Sequence, residues 1–173
     1  YHKQSVQAFD LDLNFDKEFG GSAGTRMTGA HEAIQSIVTD SSLTAGVNFG
    51  FGYWSWDNSG SGFRTWTGDI TNGRATPCTS RACIKVRAHK QGAAKINSII
   101  KSVQPGGGTN ADNWAKQAEE YYLHSTLSPI DKNLTCQNSY VLVIGDGDWY
   151  NHNGAARRVS KLLNSHKIKT FTV

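Results

Sequence analysis

The short apolar run YVLVI, residues 140–144, constrains the fold of this chain more than any other segment. It is rich in valine and isoleucine and is shorter than a buried helix, so it predicts a strand. A strand with apolar side chains on both faces must be covered on both faces, which is typical of the centre of a parallel sheet. The GDGDW that follows ends this strand and places Asp146 at its carboxyl end.

Four other segments carry apolar residues at intervals of three and four positions, which is the spacing of one face of an α-helix. Thr25 or Thr28 can cap the first of these helices, and Pro105 with the glycines after it ends the second. The segments are residues 27–38, 96–103, 111–122 and 155–163, and the apolar positions of the last are Ala155, Val159, Leu162 and Leu163.

Strand patterns alternate with these helices. They cover AGVNFGFGYW at residues 45–54, in which Val47, Phe49, Phe51 and Tyr53 would share one face, a short segment at residues 83–88 and the final IKTFTV. Strands that alternate with helices predict an α/β fold, with an open, mostly parallel sheet and helices on both faces. Because the chain ends inside a strand pattern, we expect the sheet to be truncated at Val173.

The first 24 residues have a different pattern. In SVQAFDLDLNFD, apolar residues alternate with acidic or amide residues, which predicts a half-exposed strand or an extended arm. Asp10, Asp12 and Asp16 would share one face, and such a row is more typical of a solvated face than of a set of carboxylate ligands. We therefore divide the chain into an N-terminal arm or insertion, residues 1–24, and an α/β domain, residues 25–173, with a loop insertion at residues 55–82.

Composition and charge exclude several classes of function. The net charge of +4 and the pI near 9.0 come from scattered Lys and Arg residues, without the basic run typical of a nucleic-acid interface. No stretch approaches the roughly 20 apolar residues of a membrane span. His124 and His152 have no visible Ser, Cys or acidic partner and no Gly-x-Ser-x-Gly motif occurs, so we do not expect an enzyme.

The three cysteines indicate an oxidising compartment and thus a secreted protein. Cys78 and Cys83 are close enough in sequence to form a disulfide across a small loop, whereas Cys136 is free or pairs outside the chain. Zinc is a poor alternative, because CTSRAC has no second pair of cysteines or histidines at ligand spacing.

Two oxygen-bearing residues stand where an α/β sheet gathers its ligands. Asp146 follows the strand at residues 140–144, and Thr109 lies in GGGTNADNW, a glycine turn that leads into a helix. Hydroxyl and carboxylate oxygens suit Mg²⁺, Mn²⁺ or another hard divalent cation. Taken singly, Thr109 or Asn110 would only cap a helix and Asp146 would only begin a turn. Taken together in this order, Thr109 and Asp146 favour a metal site.

In order along the chain, these segments resemble a known family. TRMTGAHEAIQSIV, GVNFGFGYW, GGGTNADNW, YVLVIGDGDW and IKTFTV are similar to the first helix, second strand, metal-loop threonine, fourth strand with the metal aspartate, and fifth strand of a von Willebrand factor A domain. The glycine-rich sequence and the cysteine-containing insertion look most like the PilC/PilY family of type IV pilus tip proteins. The resemblance covers residues 25–173 and implies a Rossmann-like fold with a metal-ion-dependent adhesion site at Thr109 and Asp146.

The third part of that site is where this sequence departs from the family, which has an Asp-x-Ser-x-Ser loop after the first strand. Asp57, Ser59 and Ser61 match the pattern literally, but they follow the second strand and no helix pattern comes after them. We therefore interpret them as a chance match in a polar turn. The resemblance then implies that the true loop lies before Tyr1 and that the metal site is incomplete in this chain.

The resemblance implies an extracellular adhesion module at a type IV pilus tip, which binds pilus subunits or a host or surface ligand through a Mg²⁺-type ion. The alternative is a structural pilus-associated domain whose metal site is vestigial and whose aromatic loop makes the contacts. That loop is flanked or occupied by Tyr53, Trp54, Trp56, Phe63 and Trp66. These rings could equally form a small core that holds the loop in place.

Overall fold

The structure is a computed structural model, which describes residues 4–10, 26–54, 82–103, 110–145 and 149–173, the first range as backbone only. The strands in these ranges are β1 (Gln4–Asp10), β2 (Val47–Trp54), β3 (Ala82–His89), β4 (Asn138–Val143) and β5 (Lys169–Thr172). The helices are α1 (Arg26–Thr39), α2 (Ser41–Thr44), α3 (Gly92–Ile99), α4 (Ala111–Tyr122) and α5 (His152–His166). A 3-10 turn, Ile100–Ser102, continues α3.

The described strands form one sheet in the order β3-β2-β1-β4-β5. Strand β1 is central and pairs in parallel with β2 on one side and with β4 on the other. Strand β5 is parallel to β4, with Tyr140 opposite Lys169. The sheet therefore combines strands from the beginning, the middle and the end of the given sequence.

The type of sheet corrects the predicted fold class. Strands β2 and β3 are antiparallel, and their register shifts on both sides of Phe51. The expectation of an open, mostly parallel sheet with helices on both faces is corrected to a small mixed sheet, in which an antiparallel pair stands beside parallel ones. The physical reason lies in the connection, because the sequence of residues 55–81 has no helical pattern that would carry the chain back for a parallel crossover.

The N-terminal segment also differs from the expected arm. Residues Gln4–Asp10 form a strand that is hydrogen-bonded along both edges, so this part of the predicted arm belongs to the centre of the sheet. The alternating pattern correctly predicted extended backbone, but period two does not say how many partners a strand has. The remainder of the predicted 1–24 segment lies outside the described residues.

Hydrophobic side chains pack into two clusters that meet at β4. Val141 and Val143 belong to the cluster that contains residues of α4 and α5, whereas Leu142 and Ile144 belong to the cluster that contains residues of α1 and α3. Successive residues of a strand point to opposite faces, so one strand can supply both clusters. This arrangement agrees with the uninterrupted apolar sequence of the strand.

The helices follow the predicted apolar spacing with one exception. Ile34 of α1, Ile96 of α3 and Trp114 of α4 are all buried, as expected from their periodicity. In α5, Leu162 is 1% exposed but Leu163 is 42% exposed, so the prediction of Leu163 as a core residue is wrong. Neighbouring residues of a helix point about 100° apart, and the buried face of α5 contains Ala155 and Leu162 but does not extend to Leu163.

Within the described ranges, no helix combines the length and the apolarity that crossing a membrane requires.

Candidate metal centre

The carboxyl ends of β1 and β4 lie side by side at one edge of the sheet. Phe9 of β1 pairs with Val143 of β4, and Asp10, the last residue of β1, pairs with Tyr53 of β2. Parallel strands end at the same edge, so Asp10 stands between the ends of its two neighbours. Asp146 follows shortly after Val143 in the sequence. This is the edge at which ligands bind in α/β proteins.

Hydrogen bonds and ring packing fix the chain directly after β4. The Val173 amide donates to the Val143 carbonyl at 2.9 Å, and the Gly145 amide donates to the Val173 carbonyl at 3.0 Å. The Trp149 indole lies so close to Gly145 that a Cβ on the glycine would be 2.7 Å from the ring atom Cζ2. Residues 145 and 149, which flank Asp146, are therefore held against each other.

The beginning of α4 packs on the same segment. Asn110 is the N-cap of α4, where its side-chain oxygen accepts the Asp112 amide at 3.1 Å, and it is only 3% exposed. Asn110 also forms a parallel bridge with Tyr150, and the Ala111 amide donates to the Tyr150 carbonyl at 2.9 Å. The first turn of α4 is thus joined to the residues that follow Asp146.

Two tryptophans connect this edge to the core. The rings of Trp114 in α4 and Trp149 meet edge to face, with their centroids 5.7 Å apart. Trp114 is 2% exposed and belongs to the same buried cluster as Val141 and Val143 of β4. Edge-to-face pairs are favourable beyond the area they bury, so this contact helps to hold α4 against the segment that follows β4.

Thr109 and Asp146, the two predicted ligands, lie outside the described residues. Their neighbours in the sequence lie together, because Asn110 is bridged to Tyr150 and Gly145 packs on the ring of Trp149. The alternative role of helix cap belongs to Asn110. Capping therefore accounts for Asn110.

The chain is also fixed where it enters the glycine turn. Val103 is the last described residue before residues 104–109, and its carbonyl lies 3.1 Å from Nε2 of His31 in α1. Burial lowers the pKa of His31, and the charge of Lys101 adds to this effect, although the hydrogen bond to Val103 opposes it. Both sides of residues 104–109 are therefore joined to helices.

A network of charged side chains joins α5 to α4, including the first turn of α4. Nε of Arg158 in α5 donates to Oδ1 of Asp112 at 2.7 Å, and Nη1 donates to Oε2 of Glu119 at 2.5 Å. Nζ of Lys161 donates to Oε1 of Glu119 at 2.5 Å. A surface cavity of about 200 Å³ lies beside these groups, lined by Glu119, Arg157, Arg158 and Lys161.

The pKa values in this network reflect the pairing. Burial alone raises the pKa of Glu119, but the hydrogen bonds and charges of Lys161 and Arg158 outweigh burial and lower it. Burial alone lowers the pKa of the Arg158 guanidinium, but Asp112 and Glu119 raise it. The charged form of each group is therefore the stable one in the folded protein.

The candidate donors fit a hard cation by their chemistry. Asp10, Thr109 and Asp146 offer carboxylate and hydroxyl oxygens, the ligands that Mg²⁺ and Mn²⁺ prefer. Among the side chains that the structure describes, no three from His, Cys, Asp and Glu lie close enough together to hold a metal ion.

The other residues singled out in the sequence do not converge on this edge. Nδ1 of His124 accepts the Thr126 amide at 3.2 Å, a local turn contact, and His152 is an exposed residue at the start of α5. Cys136 is exposed and is a free cysteine. The ring of Tyr53 lies 5.4 Å from Nζ of Lys85.

The remaining predicted residues lie outside the described residues. They are Asp12, Asp16, Asp57, Ser59, Ser61, Cys78, Trp56, Phe63 and Trp66, together with the side chains of Trp54 and Cys83.

Sequence reasoning did not predict the position of Asp10 at the end of a central strand or the contacts of Arg158. The alternation of residues 5–16 indicates a solvated face, and only the pairing of β1 with β2 and β4 shows that Asp10 ends a central strand. Arg158 carries no sequence signal of its own, because its partners Asp112 and Glu119 lie on a different helix. The charged and buried residues of α4 were the only available indication, since they place Glu119 beside the core face.

Comparison with solved structures gives matches of low similarity. A structure of the pilus adhesin SpaC from Lactobacillus rhamnosus GG is 16% identical, over 84% of this chain and 15% of the SpaC chain, with a TM-score of 0.49. Its open conformation is 14% identical, over 83% of this chain and 14% of that chain, with a TM-score of 0.49. This chain thus spans about 15% of the length of SpaC, and a likeness at this level carries no argument about function.

No protein-family model matches the chain, and no curated protein matches it either. The resemblance to von Willebrand factor A domains and to the PilC/PilY family therefore rests on the sequence motifs.

Proposed function

We propose that this chain is an extracellular binding module that holds Mg²⁺ or a similar divalent cation at the carboxyl edge of its sheet. Thr109 and Asp146 are the proposed ligands, joined by Asp10 at the end of β1. The ion would keep a coordination position open for a carboxylate oxygen of a partner. The protein would then bind its partner by coordination, without catalysis.

The observation that carries this proposal is the convergence of three chain segments. Asp10 ends the central strand next to the end of β4, and Asn110 is bridged to Tyr150 on the far side of Asp146. The sequence neighbours of three oxygen-bearing residues are therefore brought to one edge. If these residues only capped helices or began turns, their sequence neighbours would not need to lie at the same edge.

The position of Asp10 also revises the expected location of the missing loop. In the family that the sequence resembles, an Asp-x-Ser-x-Ser loop follows the first strand, and in this chain the residues from the end of β1 read DLDLN. Asp10 would take the place of the first aspartate. Asp12 and Asn14 stand at the two serine positions, and each carries a side-chain oxygen. We therefore propose that Asp10, Asp12 and Asn14 take the place of this loop in the site.

The proposed location at a pilus tip rests on the sequence resemblance alone. In that setting the partner would be a pilus subunit or a surface ligand that presents a carboxylate. The binding of such a partner is expected to be abolished by EDTA and restored by Mg²⁺, because the ion is the contact.

Isothermal titration of the protein with Mg²⁺ and Mn²⁺ tests the proposed site. We expect binding by the unchanged protein, and a loss of affinity of more than about tenfold in Asp146→Ala and in Asp10→Ala, since even outer-shell changes have an effect of that size. Glu120→Gln is the matched control. Glu120 is a partly exposed carboxylate further along α4, with Oε1 at 3.9 Å from Nζ of Lys116, and its loss should leave affinity unchanged.

Absence of ion binding in the unchanged protein would overturn the proposal. The structural alternative would then be favoured, in which the residues around the aromatic loop make the contacts. Equal binding in the protein and in Asp10→Ala would leave Asp146 as a ligand but would remove Asp10 from the site.

A further inference from the structure

The loop between α4 and β4, residues 123–137, contains an acceptor motif for N-linked glycosylation. Asn133, Leu134 and Thr135 fit the pattern Asn-x-Ser/Thr, in which the middle residue is not proline. No other asparagine in the 173 residues of the sequence fits this pattern. A motif this short also arises by chance, so its position in the fold decides whether a transferase can reach the asparagine.

The fold leaves the whole motif at the surface. Residues 131–136 are all exposed, and none of them belongs to a helix or a strand. Even the apolar side chain of Leu134, in the middle of the motif, is 39% exposed. Surface loops are the segments at which a large group can be added without disturbing the packing of a core.

The backbone of the motif forms a turn that leaves its two reactive side chains available. The Asn133 amide donates to Oδ1 of Asp131 at 3.0 Å, and the Leu134 amide donates to the Asp131 carbonyl at 3.1 Å. No described residue forms a hydrogen bond with the side-chain amide of Asn133. The hydroxyl of Thr135 has one contact, with Sγ of Cys136 at 3.6 Å. Asn133 and Thr135 can therefore be approached without breaking a contact of the fold.

One side chain holds the base of this turn. Oε1 of Gln137 accepts the Asp131 amide at 2.7 Å, and Nε2 of Gln137 donates to the Pro129 carbonyl at 2.8 Å. The next residue, Asn138, begins β4. The motif thus lies at the amino end of β4, at the edge of the sheet opposite to the carboxyl ends of β1 and β4. A sugar attached there would leave the carboxyl edge open.

We propose that Asn133 is the acceptor of an N-linked glycan, which an oligosaccharyltransferase adds from an oligosaccharide carried on a lipid pyrophosphate. The side-chain nitrogen of Asn133 attacks C1 of the first sugar, so an N–C bond forms. The bond from C1 to the pyrophosphate oxygen breaks, and the lipid pyrophosphate leaves. The amide proton passes to a base of the transferase. The hydroxyl of Thr135 is the second group by which the transferase recognises the motif.

This inference goes beyond the proposed function. It shares with that function only the export of the chain, and no step of the transfer involves Thr109 or Asp146. The glycosylation of Asn133 and the binding of a cation can therefore be tested separately.

The test is incubation of the purified, folded chain with an oligosaccharyltransferase and its lipid-linked oligosaccharide, followed by intact-protein mass spectrometry. We expect the unchanged chain to gain one glycan. Asn133→Gln and Thr135→Ala should gain none, whereas Thr135→Ser keeps the hydroxyl and should still react. Asn164→Gln is the matched control, because Asn164 is an exposed asparagine outside the motif. All three positions are exposed, so these variants are expected to fold.

A synthetic peptide of residues 128–138 separates recognition of the sequence from access in the fold. The peptide carries the motif without the rest of the protein. We expect the folded chain to react at a rate within about tenfold of that of the peptide, because surface loops open at little cost in free energy.

Each outcome supports or overturns the proposal. Loss of the glycan in Asn133→Gln and Thr135→Ala, with its retention in Thr135→Ser and Asn164→Gln, supports it. Reaction of the peptide without reaction of the folded chain overturns it, because the fold would then hide the motif. Absence of reaction with both, or a glycan that persists in Asn133→Gln, also overturns it. None of these results depends on whether the chain binds Mg²⁺.

Discussion

Single residues decide how closely the elements of this protein approach one another. Gly92, the first residue of α3, lies on the backbone of β2, where a Cβ would be 1.8 Å from the Phe49 carbonyl oxygen. No side chain can be placed there without moving a strand or a helix. Gly46, just before β2, has nothing within 4 Å of its own Cβ position. Close backbone packing therefore explains the glycine at position 92 but not the glycine at position 46.

Substitution of these glycines tests that distinction. Gly92→Ala is expected to lower the free energy of unfolding by about 1–3 kcal/mol, the usual effect of overpacking, even though alanine has the better helix propensity by about 1 kcal/mol. Gly46→Ala, the matched control, should change it by less than about 0.5 kcal/mol. Urea denaturation measures both, and equal effects at the two positions would contradict the close approach seen at Gly92.

At the scale of elements, helix α4 serves the core with one face and the candidate site with its beginning. Trp114, Ala115 and Ala118 are buried against the sheet, as their spacing predicts. Asp112 and Glu119 lie beside α5, where Arg158 contacts both. The apolar face fixes the distance of α4 from the sheet, and the charged face fixes its position along α5. The apolar face follows from residue spacing within α4 itself, whereas the charged contacts depend on a distant segment. Only the apolar face was therefore predictable.

The pairing of α4 with α5 gives stability a pH dependence through Glu119. Its pKa in the folded protein is below its ordinary value of 4.5, because hydrogen bonds and charges from Lys161 and Arg158 outweigh its burial. A carboxyl with a lowered folded pKa stabilises the protein at pH values above its unfolded pKa. This contribution is lost as the pH falls through the folded pKa. Arg158 adds nothing in this range, since arginine stays protonated.

We expect the free energy of unfolding to decrease as the pH falls below about 4.5, and the decrease to be smaller in Glu119→Gln, which has no carboxyl to protonate. Urea denaturation at a series of pH values from 7 to 3 measures this change. Glu120→Gln, which removes a more exposed carboxylate on the same helix, should keep the pH profile of the unchanged protein. A Glu119→Gln profile that is parallel to that of the unchanged protein would show that Glu119 does not contribute.

At the scale of the whole molecule, the first strand joins the two halves of the sheet. Strand β1 pairs with β2 from Gln4 to Asp10 and with β4 from Gln4 to Phe9, so it lies between the two halves. Without β1, the β2–β3 pair and the β4–β5 pair would have no hydrogen bonds to each other. A segment that looks like an arm in the sequence is therefore required for the fold.

Removal of residues 1–10 is expected to abolish cooperative unfolding, because two ladders would be lost and the total stability of a domain is only about 5–15 kcal/mol. Circular dichroism followed during thermal unfolding measures the loss. A chain that lacks only residues 1–3, which precede β1, is the control and should unfold cooperatively. Cooperative unfolding of the shorter chain would mean that β1 is dispensable.

Local patterns in the sequence predicted most elements but not their arrangement. The apolar spacing of α1 and α4 and the alternation of Val47, Phe49 and Phe51 report which face of an element is buried, and the structure confirms these faces. Such patterns could not predict the direction of β3. A strand carries the same alternation whether its neighbour is parallel or antiparallel, and only the path of the connection decides between them.

The amino-acid sequence by itself determined the identity of most elements, the main buried positions of the longer helices, and Thr109 and Asp146 as candidate oxygen ligands, because these follow from residue type and spacing. The tertiary structure alone decided that β1 is central, that Asp10 stands at the carboxyl edge and that Arg158 joins α5 to α4. These facts depend on contacts between residues far apart in the chain. Such contacts leave no periodic trace in a single sequence, so the candidate site could be predicted only in part.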